Sequence, residues 1–128
     1  MRYIRFAVEG VPVGYDRREA RHGFLPEKVR QWRRDVAVAY MASDRLRDPD
    51  YRGKVIVSIR AIGAPADADN VAKCILDALT GVAYRDDCQV VGLAVKLSDR
   101  ELGPGGRPRK AQYGAGVLVG IHFVEDDR

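Results

Sequence analysis

Apolar and polar positions change their period several times along the chain, and each change marks an element. Tyr3, Arg5 and Ala7 alternate with Ile4, Phe6 and Val8, which predicts a strand over residues 3–9 with one apolar face. Residues 10–23 mix glycine, proline and charge and make a loop. Pro26 suits the first turn of a helix and Glu27 suits its positive end. Val29, Trp32, Val36, Ala39 and Tyr40 then form a stripe at helical spacing, with Arg30 and Arg34 on the opposite side and Arg33 at the border. A polar connection over 44–53 contains Asp48-Pro49, and Val55, Val57 and Ile59 alternate in a strand over 54–62. Val71, Cys74, Ile75, Ala78 and Leu79 return to helical spacing. Asp69 or Asn70 is placed to cap that helix, and Gly81 to end it in a left-handed conformation. A strand over 88–97 puts Val91, Leu93, Val95 and Leu97 on one face, and a last strand over 115–124 follows a Gly/Pro-rich loop.

The order is strand, helix, strand, helix, strand, strand, which predicts a single α+β domain over 1–128. A mixed β-sheet of about four strands, with the two main helices packed on it, buries both apolar stripes. The last two strands, separated only by a loop, are expected to be antiparallel neighbours. With 128 residues, 46% of them hydrophobic, the chain can fill one core. No apolar run approaches a membrane span, and Arg2 and Arg5 precede no signal-type apolar segment, so a cytoplasmic protein is expected. Cys74 and Cys88 form no metal or redox motif, and both are expected to be small core residues.

Charge adds a direction. The net charge is +4, and seven basic residues against two acidic ones fall between Arg17 and Arg34. They include Arg17, Arg18, Arg21, Arg30 and Arg34. A second cluster, Arg107, Arg109 and Lys110, contains no acid and sits on a Gly/Pro frame. Such patches suit a polyanion, gripping phosphates with little base specificity.

Between them lies an acidic segment. Asp67 and Asp69 stand two apart, so in an extended segment both face the same way. Asn70, Lys73 and Asp77 share one polar stripe on the second helix. Asp87 and Gln89 share the parity of the apolar face of the next strand, while Asp86 points away. Two carboxylates about 4 Å apart repel by roughly 4 kcal/mol at an effective dielectric of 20. A cluster of three therefore either takes up protons or holds a divalent cation. Oxygen-only donors favour Mg²⁺ or Mn²⁺ over zinc. Lys73 and Asp77 also have the i, i+4 spacing of an ordinary helix ion pair.

The run Asp67-x-Asp69-Asn70-x-x-Lys73-x-x-x-Asp77-Ala78-Leu79, then Gly81-Val82, then Asp86-Asp87-x-Gln89-Val90, resembles the signature of the RusA-type Holliday junction resolvases. These are small Mg²⁺-dependent endodeoxyribonucleases, often phage- or prophage-borne. The resemblance implies Asp67, Asp69 and Asp87 as metal ligands and catalytic carboxylates, with Lys73 as the active-site lysine. Asn70, Asp77, Asp86 and Gln89 fall on further motif positions. It also implies a RusA-like fold, a homodimer, branched DNA as substrate, and paired symmetric cleavage of four-way junctions in recombination and repair. A non-catalytic branched-DNA-binding protein, or a nuclease acting on other branched DNA, are the competing expectations. Residues 10–18 match the family's Pro-rich turn and basic residues only loosely.

Overall fold

The computed structural model describes residues 2–14, 26–98 and 114–124. Its elements are β1 (Arg2–Glu9), α1 (Glu27–Ser43), β2 (Lys54–Ile62), α2 (Ala68–Leu79), a 3₁₀ turn (Asp87–Gln89), β3 (Val90–Ser98) and β4 (Gly116–Val124). The four strands make one mixed sheet in the order β1-β4-β2-β3. This is the predicted α+β arrangement.

The sheet order differs from expectation at one place. β4 runs antiparallel between β1 and β2, while β3 lies parallel to β2. β3 and β4 are therefore not neighbours. The reason lies in the connection: β2, α2 and β3 form a β-α-β unit, and a helix crossover lets two strands run parallel side by side. A short loop would have allowed a hairpin, but the chain between β3 and β4 is long enough to carry β4 past β2.

Alternation in β1, β2 and β4 puts Phe6, Val8, Val55, Val57, Ile59, Val119, Ile121 and Phe123 on one buried face. Val29, Trp32, Val36 and Tyr40 of α1, and Val71, Cys74, Ile75 and Leu79 of α2, cover it. Full burial of a large apolar side chain contributes about 1.5–3 kcal/mol. The amphipathic stripes therefore fix which side of each helix meets the sheet. Among the described residues, no helix covers the opposite face of the sheet.

Among the described residues, one charge lies in this interior. Asp44, 2% exposed, follows α1 and accepts hydrogen bonds from Arg2 of β1, Tyr40 Oη and the Leu46 N–H. The Arg2 guanidinium also stacks 4.1 Å from the centre of the Phe123 ring. A buried carboxylate persists only with such partners.

Two local boundaries moved. α2 begins at Ala68, ahead of the predicted caps, because the Asp67 carbonyl already accepts the Val71 N–H at 3.0 Å. Gly81 does take the left-handed conformation, with φ +81°. The third strand starts at Val90, and Cys88 sits in the exposed 3₁₀ turn while Cys74 is buried, so only Cys74 is a core residue.

Candidate active site

The polar motif is distributed over the entrance of α2, the side of α2, and the turn that leads into β3. Asp67 is the last extended residue before the helix, with φ −70° and ψ 156°, and Asp69 lies in the first turn. The two are therefore not on an extended segment, and their relation is set by the helix start. Both are exposed, as is Lys73, while Asn70 is half-buried. A carboxylate in the first turn is favoured by the helix dipole.

The entrance of α2 is held from outside. Gly14 packs so closely against it that a Cβ there would sit 2.4 Å from Ala66 Cβ and 3.0 Å from Asn70 Cβ. A cavity of about 450 Å³ opens beside this contact, lined by Val11, Pro12, Val13, Gly14, Lys28, Pro65 and Ala66. Its lining residues Pro65 and Ala66 directly precede the predicted ligand Asp67.

Along α2, Asp77 is the hub. Arg33 of α1 reaches its carboxylate at 2.7 Å, and Lys73 approaches the same oxygen at 3.6 Å. Asp77 thus joins the two helices and faces Lys73 as well. The polar stripe finds the partner that a half-buried charge requires. Arg33 was expected only at the border of the α1 stripe, since the spacing along one helix says nothing about its neighbour.

The turn before β3 is built by Asp86 and Gln89. Asp86 Oδ1 accepts the Cys88 N–H at 2.9 Å, and Gln89 Oε1 accepts the N–H groups of Asp86 and Arg85 at 2.8 and 3.0 Å. This is a reciprocal capping box. The Gln89 amide then donates to the carbonyls of Tyr51 and Gly53, at 2.7 and 2.8 Å. Hydrogen bonding by the Cys88 backbone holds the Asp86 carboxyl below its ordinary pKa, and Asp86 in turn raises the Cys88 thiol. Asp87 lies between these two anchors with an exposed side chain. Asp87 and Gln89 do not share a strand face as expected, because a 3₁₀ turn and a register shift near Val55 and Ile56 interrupt the alternation.

Tyr84 ties this turn to the helix. Its hydroxyl donates to the Leu76 carbonyl at 3.0 Å. Burial raises its pKa, and the nearby charges of Asp87 and Asp77 raise it further.

The donor chemistry of Asp67, Asp69 and Asp87 fits a small hard cation. Among the described residues, no three His, Cys, Asp or Glu side chains are gathered closely enough to hold a metal ion. Of the predicted DNA contacts, Arg30 and Arg34 both pair with Glu27, at 2.5 and 3.2 Å. Arg17, Arg18, Arg21, Arg107, Arg109 and Lys110 lie outside the described residues. Among the described residues no helix is long and apolar enough to cross a membrane.

The sequence model of one family, endodeoxyribonuclease RusA, matches residues 9–109, which is most of the chain. No curated protein matches it.

Proposed function

Because this chain belongs to the RusA endodeoxyribonuclease family, we propose that it resolves four-way DNA junctions by divalent-cation-dependent cleavage, as a homodimer. The family match carries the reading, since residues 9–109 contain every position of the motif from Asp67 to Gln89. Asp67, Asp69 and Asp87 would hold Mg²⁺, with Mn²⁺ as a substitute, because exposed oxygen donors suit a small hard ion. Such an ion, when bound, polarises the scissile phosphate and lowers the pKa of a water.

The other roles belong to side chains of the chain itself. Lys73 lies one turn beyond Asp69 on α2, so its ammonium can offset charge that grows on the phosphate. Its approach to Asp77 orients it, and Arg33 shares the charge of that carboxylate. Asp86 and Gln89 hold the turn that carries Asp87. Two like charges at contact distance repel, so on this reading the three carboxylates close on one another only around a cation. One carboxylate set per chain cuts one strand, and a two-fold pair of chains supplies the symmetric second cut.

The test is cleavage of a synthetic four-way junction with Mg²⁺, against linear duplex as control. Asp69→Asn should lower nicking on the order of 100-fold or more, as loss of an electrostatic group at a reacting phosphate does, with junction binding in EDTA retained. Nicking by the variant at the wild-type rate refutes the site. Binding without nicking by the wild-type protein leaves a branched-DNA-binding protein instead. Cleavage of flaps in preference to junctions, at fixed salt, moves the substrate and not the chemistry.

A further inference from the structure

The helix-free face of the sheet has a composition that solvation alone does not explain. Register places its side chains in rungs across the four strands. One rung reads Arg5, Gly120, Ser58, Ala94, and the next reads Ala7, Leu118, Arg60, Lys96. Arg5, Arg60 and Lys96 are all exposed. Among the described residues none of the three forms an ion pair. Lys54 extends the same face at one end of β2, and among the described residues the one acid on this face, Glu9, stands on the rung after that of Arg60 and Lys96, two strands away on β1. Solvated sheet faces ordinarily mix both signs, and a field of one sign attracts a counter-charged partner.

The middle of the face is also hollow. Gly120 and Ala94 leave a trough of about 310 Å³, lined by Tyr3, Arg5, Ser58, Arg60, Ala94 and Lys96 among others. A Cβ on Gly120 would lie 2.6 Å from Tyr3 Oη and 2.7 Å from Ser58 Oγ, so both hydroxyls stand over that glycine. Arg60 Nε donates to Ser98 Oγ at 3.0 Å, which fixes the guanidinium stem across β3. Three cations and two hydroxyls thus surround a shallow depression. β1 and β3 are three strand spacings apart, about 14 Å at roughly 4.8 Å per spacing. Over that length one DNA strand presents about four phosphates, at about 3.4 Å each along the axis.

We propose that the helix-free sheet face is a DNA contact surface in its own right, on which a duplex arm lies with its phosphates against Arg5, Arg60 and Lys96. The identity of the polyanion rests on the nuclease reading; the carboxylate motif does not enter, because α2 lies on the other side of the sheet. The arms of a four-way junction diverge, so a resolvase that grips one arm on this face holds the substrate from a direction the motif side cannot reach. The contacts are to phosphate, and the surface is expected to show no base preference.

The experiment is equilibrium binding of a linear duplex in EDTA, by fluorescence anisotropy over a series of salt concentrations. It compares the wild type with Arg5→Gln/Arg60→Gln/Lys96→Gln and with Arg5→Lys/Arg60→Lys. Each phosphate contact contributes about 0.9 to the slope of log affinity against log salt. The glutamine variant should lose about 2–3 of that slope and bind at least about tenfold more weakly at moderate salt. The lysine variant should keep both, since it keeps the charges. An unchanged slope with affinity within about twofold overturns the proposal, as does a wild-type protein that does not bind duplex. Dissociation of a wild-type dimer by the glutamine substitutions, seen in sedimentation with the slope unchanged, also overturns it and makes the face a contact between copies. The nuclease reading is judged separately, by wild-type nicking of the junction with Mg²⁺.

Discussion

Gln89 touches four backbone groups on two segments far apart in the chain, accepting from Arg85 and Asp86 and donating to Tyr51 and Gly53. A side-chain amide offers an acceptor oxygen and two N–H donors at one end, which matches these four groups. Gln89→Glu keeps the acceptor, loses both donors, and turns a negative charge toward two carbonyls. It should lower stability by about 1–3 kcal/mol, read as a fall in Tm, and slow junction nicking more than duplex binding in EDTA. Unchanged Tm and unchanged nicking would show that the turn does not depend on this side chain. The sequence marked Gln89 as a motif position, yet its role could not be seen there. Its carbonyl partners belong to Tyr51 and Gly53, in a connection with no motif of its own, and backbone acceptors carry no signature in a sequence. Asp77 tells the same story from the side-chain end: its spacing from Lys73 was legible, its bond to Arg33 was not.

α2 is positioned at its start, its side and its end. Gly14 seats the start, Arg33 grips the side, and the Tyr84 hydroxyl meets the Leu76 carbonyl near the end. The apolar spacing that defines this helix is local and was readable, and Gly81 ended it as the sequence indicated. Its first residue was not readable, since Asp67, Asp69 and Asn70 are all competent caps and the choice fell to the backbone bond from Val71 to Asp67. The close approach at Gly14 yields a test at this scale. Gly14→Ala inserts a methyl where 2.4 Å separates it from Ala66 Cβ, so either 11–14 or the helix entrance must shift. A misplacement on the order of 1 Å near reacting groups can cost about 100-fold in rate. Junction nicking should therefore fall about 10–100-fold while Tm changes little. Full activity in Gly14→Ala would mean that the entrance of α2 does not set the position of Asp67 and Asp69.

For the whole molecule, the Arg2, Tyr40 and Asp44 cluster couples the first strand, the first helix and, through Phe123, the last strand. Burial pushes the Asp44 carboxyl up, but the hydrogen bonds from Arg2 and Tyr40 and the Arg2 charge outweigh it, and the group ends below its ordinary value. A depressed carboxylate contributes stability that is present above the unfolded pKa, about 3.9, and is lost as pH falls through the lower folded value. Stability should hold down to about pH 4 and drop below it. Asp44→Asn should cost about 1.5–3 kcal/mol at neutral pH and flatten the acid limb, as measured by urea denaturation across pH. An acid limb identical in the variant would place the titrating group elsewhere. By itself the sequence determined the elements, the buried faces of both helices and of β1 and β2, the carboxylate motif and the family it points to, because periodicity and spacing are properties of neighbours along the chain; the apolar face expected of β3 is not buried, since Val91 and Leu93 on this edge strand are exposed. Tertiary structure decided that β3 runs beside β2, that Arg33 belongs to Asp77, that Cys88 is exposed, and that one sheet face gathers Arg5, Arg60 and Lys96. Those outcomes depend on which elements lie next to one another, strand beside strand and helix beside helix, and such packing over tens of residues is set by how the helices cover the sheet and not by any local pattern.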